Sequence, residues 1–208
     1  MEMALLTACV LLTLFAGLAF YDGLYLHLLR YRLYARPESR TEHILHTIRA
    51  LLFPPLLYFL YLSPGPVGFL VGIALVLADV LTLGADAYLE KDSRAFMGGL
   101  PRWEYILHLF VNGLHFASIA VWLLLKVRLA ATGPAIVPVL PATNGYQLLT
   151  SLAWNLLPGA VVLGIVHLLL LVPAVATRWN RLHTRLRCCL PEVFSPSNNS
   201  LASPAPGN

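Results

Sequence analysis

The chain has 208 residues, of which 58% are hydrophobic and 12% charged, with a formal net charge of +4 and a mean hydropathy of +0.72. Soluble domains run nearer half apolar and a quarter charged, and disordered chains are far less apolar, so both classes are excluded. The expected class is an all-α, multi-pass integral membrane protein. Its basic residues fall between apolar runs rather than in one stripe, which marks topology and excludes a nucleic-acid partner.

Five runs reach the roughly 20 residues that a helix needs to cross a bilayer. They are residues 3–29, 44–62, 67–89, 103–125 and 149–175. The first lacks a basic start and carries Asp22 and His27, so it is read as a permanent span rather than a cleaved signal. Arg30, Arg32, Arg36 and Arg40 follow the first span. Lys91, Arg94 and Arg102 follow the third, and Arg178, Arg181, Arg185 and Arg187 follow the fifth. All eleven share one side, Lys126 and Arg128 face the other, and Arg49 lies within the second span. The positive side is expected to be cytosolic, with the amino terminus outside and the carboxyl terminus inside.

The connections fit that plan. Residues 63–66 (SPGP) read as a tight outer turn, and residues 98–101 (GGLP) end an inner loop with Pro101 opening the fourth helix. Residues 130–147 hold three Pro and several small apolar residues, and are expected to lie along the membrane surface. The chain divides into a five-helix domain over 1–188 and a disordered cytosolic tail over 189–208. Cys9 is placed in a span, and Cys188 with Cys189 at the reducing interface, where lipid attachment and incidental apolar packing are both open.

Ionisable residues in hydrocarbon cost at least ~2.5 kcal/mol each near the centre, so their placement is informative. Asp22, Glu42, Asp79, Asp86, Glu90 and Glu104 all lie in or at the end of spans, as do His27, His43, His46, His108 and His115. At 3.6 residues per turn, Glu42, His46 and Arg49 share one face of the second helix. Asp79, Asp86 and Glu90 share one face of the third, and Glu104, His108 and His115 one of the fourth, with Asn112 a turn from His108. His27 is off the α-helical face of Asp22, and His43 points away from Glu42. His167, like His183, is read as structural.

Residues 40–46 (RTEHILH) and 102–108 (RWEYILH) agree at five of seven positions, and each opens an even-numbered helix after a helix that ends in carboxylates. The first four spans are therefore expected to form a bundle of two pseudo-symmetric hairpins. Carboxylates and imidazoles meeting from four helices form the ligand set preferred by iron, manganese or zinc. The order resembles, in plan, the ferritin-like di-iron carboxylate bundles, with Glu-x-x-x-His at helix starts in place of their Glu-x-x-His in mid-helix. The repeated His-x-x-His-His boxes of membrane hydroxylases and desaturases are absent from the sequence.

The ligands expected for one or two divalent transition metals, iron foremost, are Asp22, Glu42, His46, Asp86, Glu90, Glu104 and His108. Asp79, Arg49, Asn112 and His115 are expected to surround them. Ser39 and Glu42 also match a helix-capping box, and Arg49 also matches an ion-pair partner for an intramembrane Asp. Arg30, Arg32, Arg36 and Arg40 could in addition hold an anionic lipid headgroup. The function expected from these residues is a membrane-embedded, metal-dependent oxidoreductase or hydroxylase acting on a lipophilic molecule at the cytosolic side. The alternatives are a b-type haem electron carrier with His46 and His108 or His115 as axial ligands, a proton or metal-ion transporter, and a subunit of a larger membrane complex.

Overall fold

In the computed structural model, residues 1–131, 133–137 and 140–188 are described; the segment 189–208 lies outside them. Five helices are long and apolar enough to cross a membrane. α1 spans Glu2–Phe20 and continues as a π-helix over Tyr21–Arg30. α2 spans Arg40–Leu56 and continues as a π-helix over Leu57–Leu62. α3 (Pro66–Ser93), α4 (Arg102–Lys126) and α5 (Asn144–Leu170) complete the set.

These helices are apolar nearly all round, and only 17% to 33% of the most apolar window of each is buried inside the protein. Leu6, Val10, Leu70, Leu81, Leu124 and Val162 are among the large side chains left facing outward. An apolar girdle of that extent is consistent with helices that cross a membrane.

The extended packing contacts are α1 with α4, α2 with α3, and α5 with both α1 and α2. Of the consecutive helices, α2 packs along α3, whereas α1 with α2 and α3 with α4 form no extended contact. Two glycines permit close approach of one helix backbone to another. A Cβ on Gly72 would lie 2.9 Å from the Leu60 backbone, and one on Gly164 would lie 3.0 Å from the Ala50 carbonyl oxygen. Pro54 and Pro55 lie inside α2, where neither can donate a backbone hydrogen bond, and the wider π-turns begin directly after them.

The core divides along the helix axes. At the end away from the arginine-rich loops it is almost wholly apolar, built on Leu5, Ala8, Leu12, Leu57, Leu60 and Leu149. The polar groups there are paired: Trp122 Nε1 donates to Leu60 O at 2.7 Å, and Tyr61 and Ser118 share a hydrogen bond of 2.8 Å. The buried carboxylates and imidazoles occupy the other end and the middle.

The surface stretch after α4 contains an antiparallel hairpin, β1 (Val127–Ala130) and β2 (Gly133–Ile136), with Val127 opposite Ile136. The fifth span ends at Leu170, short of the expected 175. Pro173 lacks the amide needed to continue the helix and instead opens α6, Pro173–Cys188. The expected capping box at Ser39 does not form: the Ser39 hydroxyl donates to Ser93 O at 2.9 Å, tying the start of α2 to the end of α3.

Candidate metal centre

The π-helical segment supplies the residue at the centre of the site. Hydrogen bonds of the i→i+5 type, seen where Tyr31 N donates to Leu26 O at 2.8 Å, set residues five apart above one another. Asp22 and His27 thus share a face, although in an α-helix they would diverge by about 140°. His27 is fully buried, and neither of its ring nitrogens makes a hydrogen bond among the described residues. Its Nε2 lies 3.4 Å from Asp22 Oδ1, and its ring centroid lies 4.1 Å from that of His46 and 5.8 Å from that of His108.

Two candidate ligand sets, groups that could hold a metal ion, meet at this residue: Asp22, His27 and His108 form one, and His27, Glu42 and His46 the other. Within each set the donor atoms all lie within 4.8 Å of one another. Donors about 2.0–2.2 Å from a common ion lie up to about 4 Å apart, so each set needs only small side-chain movement to close on a metal.

The remaining carboxylates orient these ligands. His108 Nδ1 is 2.6 Å from Glu90 Oε1 and its Nε2 is 3.2 Å from Asp22 Oδ1, so Glu90 fixes the ring while the opposite nitrogen faces the first ligand set. His46 Nε2 lies 3.3 Å from Asp86 Oδ2 and 3.7 Å from Glu42 Oε1. Of the two carboxylates expected as ligands, Glu90 stands behind the His108 ring, whereas Asp86 meets the same His46 nitrogen that faces Glu42.

Glu104, expected as a ligand, is paired with an arginine. It is fully buried and its Oε1 lies 2.7 Å from Nη2 of Arg94, which itself is completely enclosed. The same guanidinium grips Glu42 by both oxygens, at 2.9 and 3.1 Å. Arg94, read from the sequence as a loop cation marking topology, is the internal counter-ion joining the starts of α2 and α4 to the end of α3. No Arg or Lys pairs with Asp22, Asp86 or Glu90 among the described contacts.

Farther along the axis, Arg49 Nε donates to Asp79 Oδ1 at 3.0 Å and Nη2 donates to Asn112 Oδ1 at 2.9 Å. Asn112 in turn donates to His108 O at 2.8 Å. Asp79 Oδ2 lies 3.5 Å from His115 Nε2, and His115 packs on Phe15 with centroids 4.3 Å apart. These four residues therefore form an adjoining network that meets the site through His108, and the Arg49–Asp79 pair is the ion pair weighed in the sequence. His43 and His167, both buried, stack at 5.5 Å outside the two ligand sets.

Of the four arginines considered for a lipid headgroup, Arg36 stacks on Phe96 at 3.8 Å and Arg30 lies over Tyr31 and Trp103 at 5.6 and 5.8 Å. Arg36 and Arg40 line a cavity of about 390 Å³ beside α6. A cavity of about 420 Å³ opens between α3 and α4 and has Asp22, His46 and His108 on its inner wall. A smaller one of about 110 Å³ extends behind it past Asp22 and His46 toward Asp79 and His115. Comparison with known proteins adds no further constraint, because no family model, curated protein or solved structure matches the chain.

Proposed function

We propose that this chain is an integral membrane metalloprotein whose carboxylate–imidazole cluster binds one or two divalent transition metals and acts on a lipophilic molecule, as an oxidoreductase or hydroxylase. The observation that carries the reading is His27: a fully buried imidazole, with no hydrogen bond at either nitrogen among the described residues and Asp22 Oδ1 3.4 Å from its Nε2, common to two candidate ligand sets. A polar side chain so placed is costly unless something binds it. Charge supports a cation as that partner. Five carboxylates surround the cluster, Arg94 offsets part of their charge, and Arg49 is committed to Asp79. A metal there would supply Lewis acidity toward oxygen or bound water. The chain's own groups hold the ligands in place: Glu90 orients His108 through Nδ1, Asp86 and Glu42 converge on His46 Nε2, and Arg94 fixes Glu42.

The outward-facing apolar side chains support a bilayer around the five helices, and the arginine-rich loops support a cytosolic position for the site, with the amino terminus outside. The packing also supports the two-hairpin reading, in a crossed form. A twofold exchanging α1 with α3 and α2 with α4 turns the α1–α4 contact into the α2–α3 contact. It likewise turns the Asp22–His108 pair at 3.2 Å into the Asp86–His46 pair at 3.3 Å.

The alternatives fit less well. A haem held by His46 and His108 would have to displace His27, which packs against both rings. A transporter needs a polar path to the far surface, where the core is mainly Leu, Ala and Phe and the buried polar groups among the described residues are Tyr61, Trp122, Ser118 and Lys126. Elemental analysis with an absorption spectrum tests the proposal on purified, folded protein. At least one equivalent of iron, manganese or zinc without a haem band is expected. Less than one equivalent of any transition metal, or a haem spectrum, would overturn it.

A further inference from the structure

We infer that the cleft between α3 and α4 binds an uncharged single-chain lipid of the long-chain alcohol kind, with its polar end against the carboxylate–imidazole cluster. This deepens the membrane-metalloprotein reading and rests on its placement of the helices in a bilayer.

The first observation is a gap in the bundle. α1 packs along α4, α2 along α3, and α5 fills the space against α1 and α2, but α3 and α4 form no such contact with each other. The cavity of about 420 Å³ occupies that gap. Its flanks are apolar, from Leu83 and Ala87 on α3 and Leu109 and Phe116 on α4, and its floor is Asp22, His46, Asp86, Glu90 and His108, with Arg49 and Asn112 at its inner end. Ala87, Leu109 and Gly113 are exposed, so the cleft opens sideways, into the hydrocarbon if the five helices span a bilayer. Below it, at the arginine-rich end, Arg94 joins the end of α3 to Glu104 at the start of α4. The direct way in is therefore lateral, between two helices, which suits a molecule already dissolved in the bilayer.

Size and charge narrow the class. The volume lies in the lower part of the roughly 300–1,000 Å³ range of small-ligand sites, enough for one chain rather than a two-chain phospholipid. The floor presents three carboxylates, while both nearby guanidiniums are committed, Arg49 to Asp79 and Asn112 and Arg94 to Glu42 and Glu104. With one divalent cation held there, the five carboxylates and Arg94 still leave the cluster net negative, so an anionic headgroup, whether carboxylate or phosphate, meets like charge in a low-dielectric setting. A hydroxyl meets hydrogen-bond acceptors and no repulsion.

The position for a test is Gly113, which lines the cleft and has no atom within 4 Å of an added Cβ. Gly113→Phe therefore adds bulk to the cleft from α4, and Ala87→Phe repeats the block from α3. The probe is a diazirine-bearing hexadecanol, photolysed with the full-length protein in phosphatidylcholine vesicles, with labelled peptides mapped by mass spectrometry. The expected result is labelling concentrated in residues 83–90 and 105–116. It should fall about tenfold or more in either blocked variant and in the matching hexadecanoic acid probe. Labelling spread equally over the outward Leu81, Leu124 and Val162, unchanged by both blocks, or as strong with the acid, would overturn the inference. Metal content is measured on the same samples. Loss of labelling selectivity with metal retained counts against the lipid site alone, and cleft labelling in metal-free protein counts against the metal reading alone.

Discussion

The two helix pairs α1–α2 and α3–α4 furnish the site with matching groups, and they differ where the chemistry is concentrated. Each even helix opens with a Glu and then a His four residues on: Glu42 and His46 in one, Glu104 and His108 in the other. Each odd helix sends an Asp across the bundle to the other pair's His. Where α3 is α-helical and places Glu90 four residues after Asp86, the first helix has widened into a π-helix and places His27 five residues after Asp22. The two residues occupy comparable places, one beside His108 and the other beside His46. Replacing a carboxylate by an imidazole there makes His27 a shared donor of both ligand sets, and π-segments are frequent at functional sites. The second difference is Arg94, whose nearest counterpart after the first helix, Arg30, is exposed over aromatic rings.

Substitutions can break or sharpen that comparison. The largest effect is expected at Arg94. Arg94→Met leaves Glu42 and Glu104 buried without a counter-ion and should cost about 3–5 kcal/mol, read as a lowered unfolding temperature in detergent. Arg30→Met, the matching change in the other half, should stay within about 0.5 kcal/mol. Next is His27→Gln, which removes the donor common to both sets and should abolish metal retention through dialysis. Glu90→Gln, which deprives His108 of its orienting carboxylate, should weaken metal binding by about 10–100-fold in a competition titration with a chelator. The smallest effect on metal is expected at Asp79. Asp79→Asn should lower thermal stability by releasing Arg49, while the metal-to-protein ratio stays that of the wild type.

Much of this plan is readable in the sequence because most of the chain obeys α-helical periodicity. The spacing of Glu42, His46 and Arg49, or of Asp79, Asp86 and Glu90, gives their faces correctly, and the five apolar runs mark the five long helices. His27 is missed because an α-helical projection rotates it away from Asp22, and only the π-hydrogen bonding restores it. Arg94 is missed because a cation in a short loop between spans looks the same whether it faces water or folds inward. The run of small and aliphatic residues across Pro173 conceals the start of α6. Ser39 and Glu42 satisfy a capping pattern locally, but the tertiary partners Ser93 and Arg94 outcompete it.

The most direct test is the metal content of three purified proteins, wild type, His27→Gln and His115→Gln, each shown to be folded. The wild type and His115→Gln are expected to retain the same content, at least one equivalent, because His115 faces Asp79 and Phe15 rather than the ligand sets. His27→Gln is expected to retain none. Full retention by His27→Gln, or equal loss from both variants, would contradict the assignment of His27 as the donor on which both ligand sets depend.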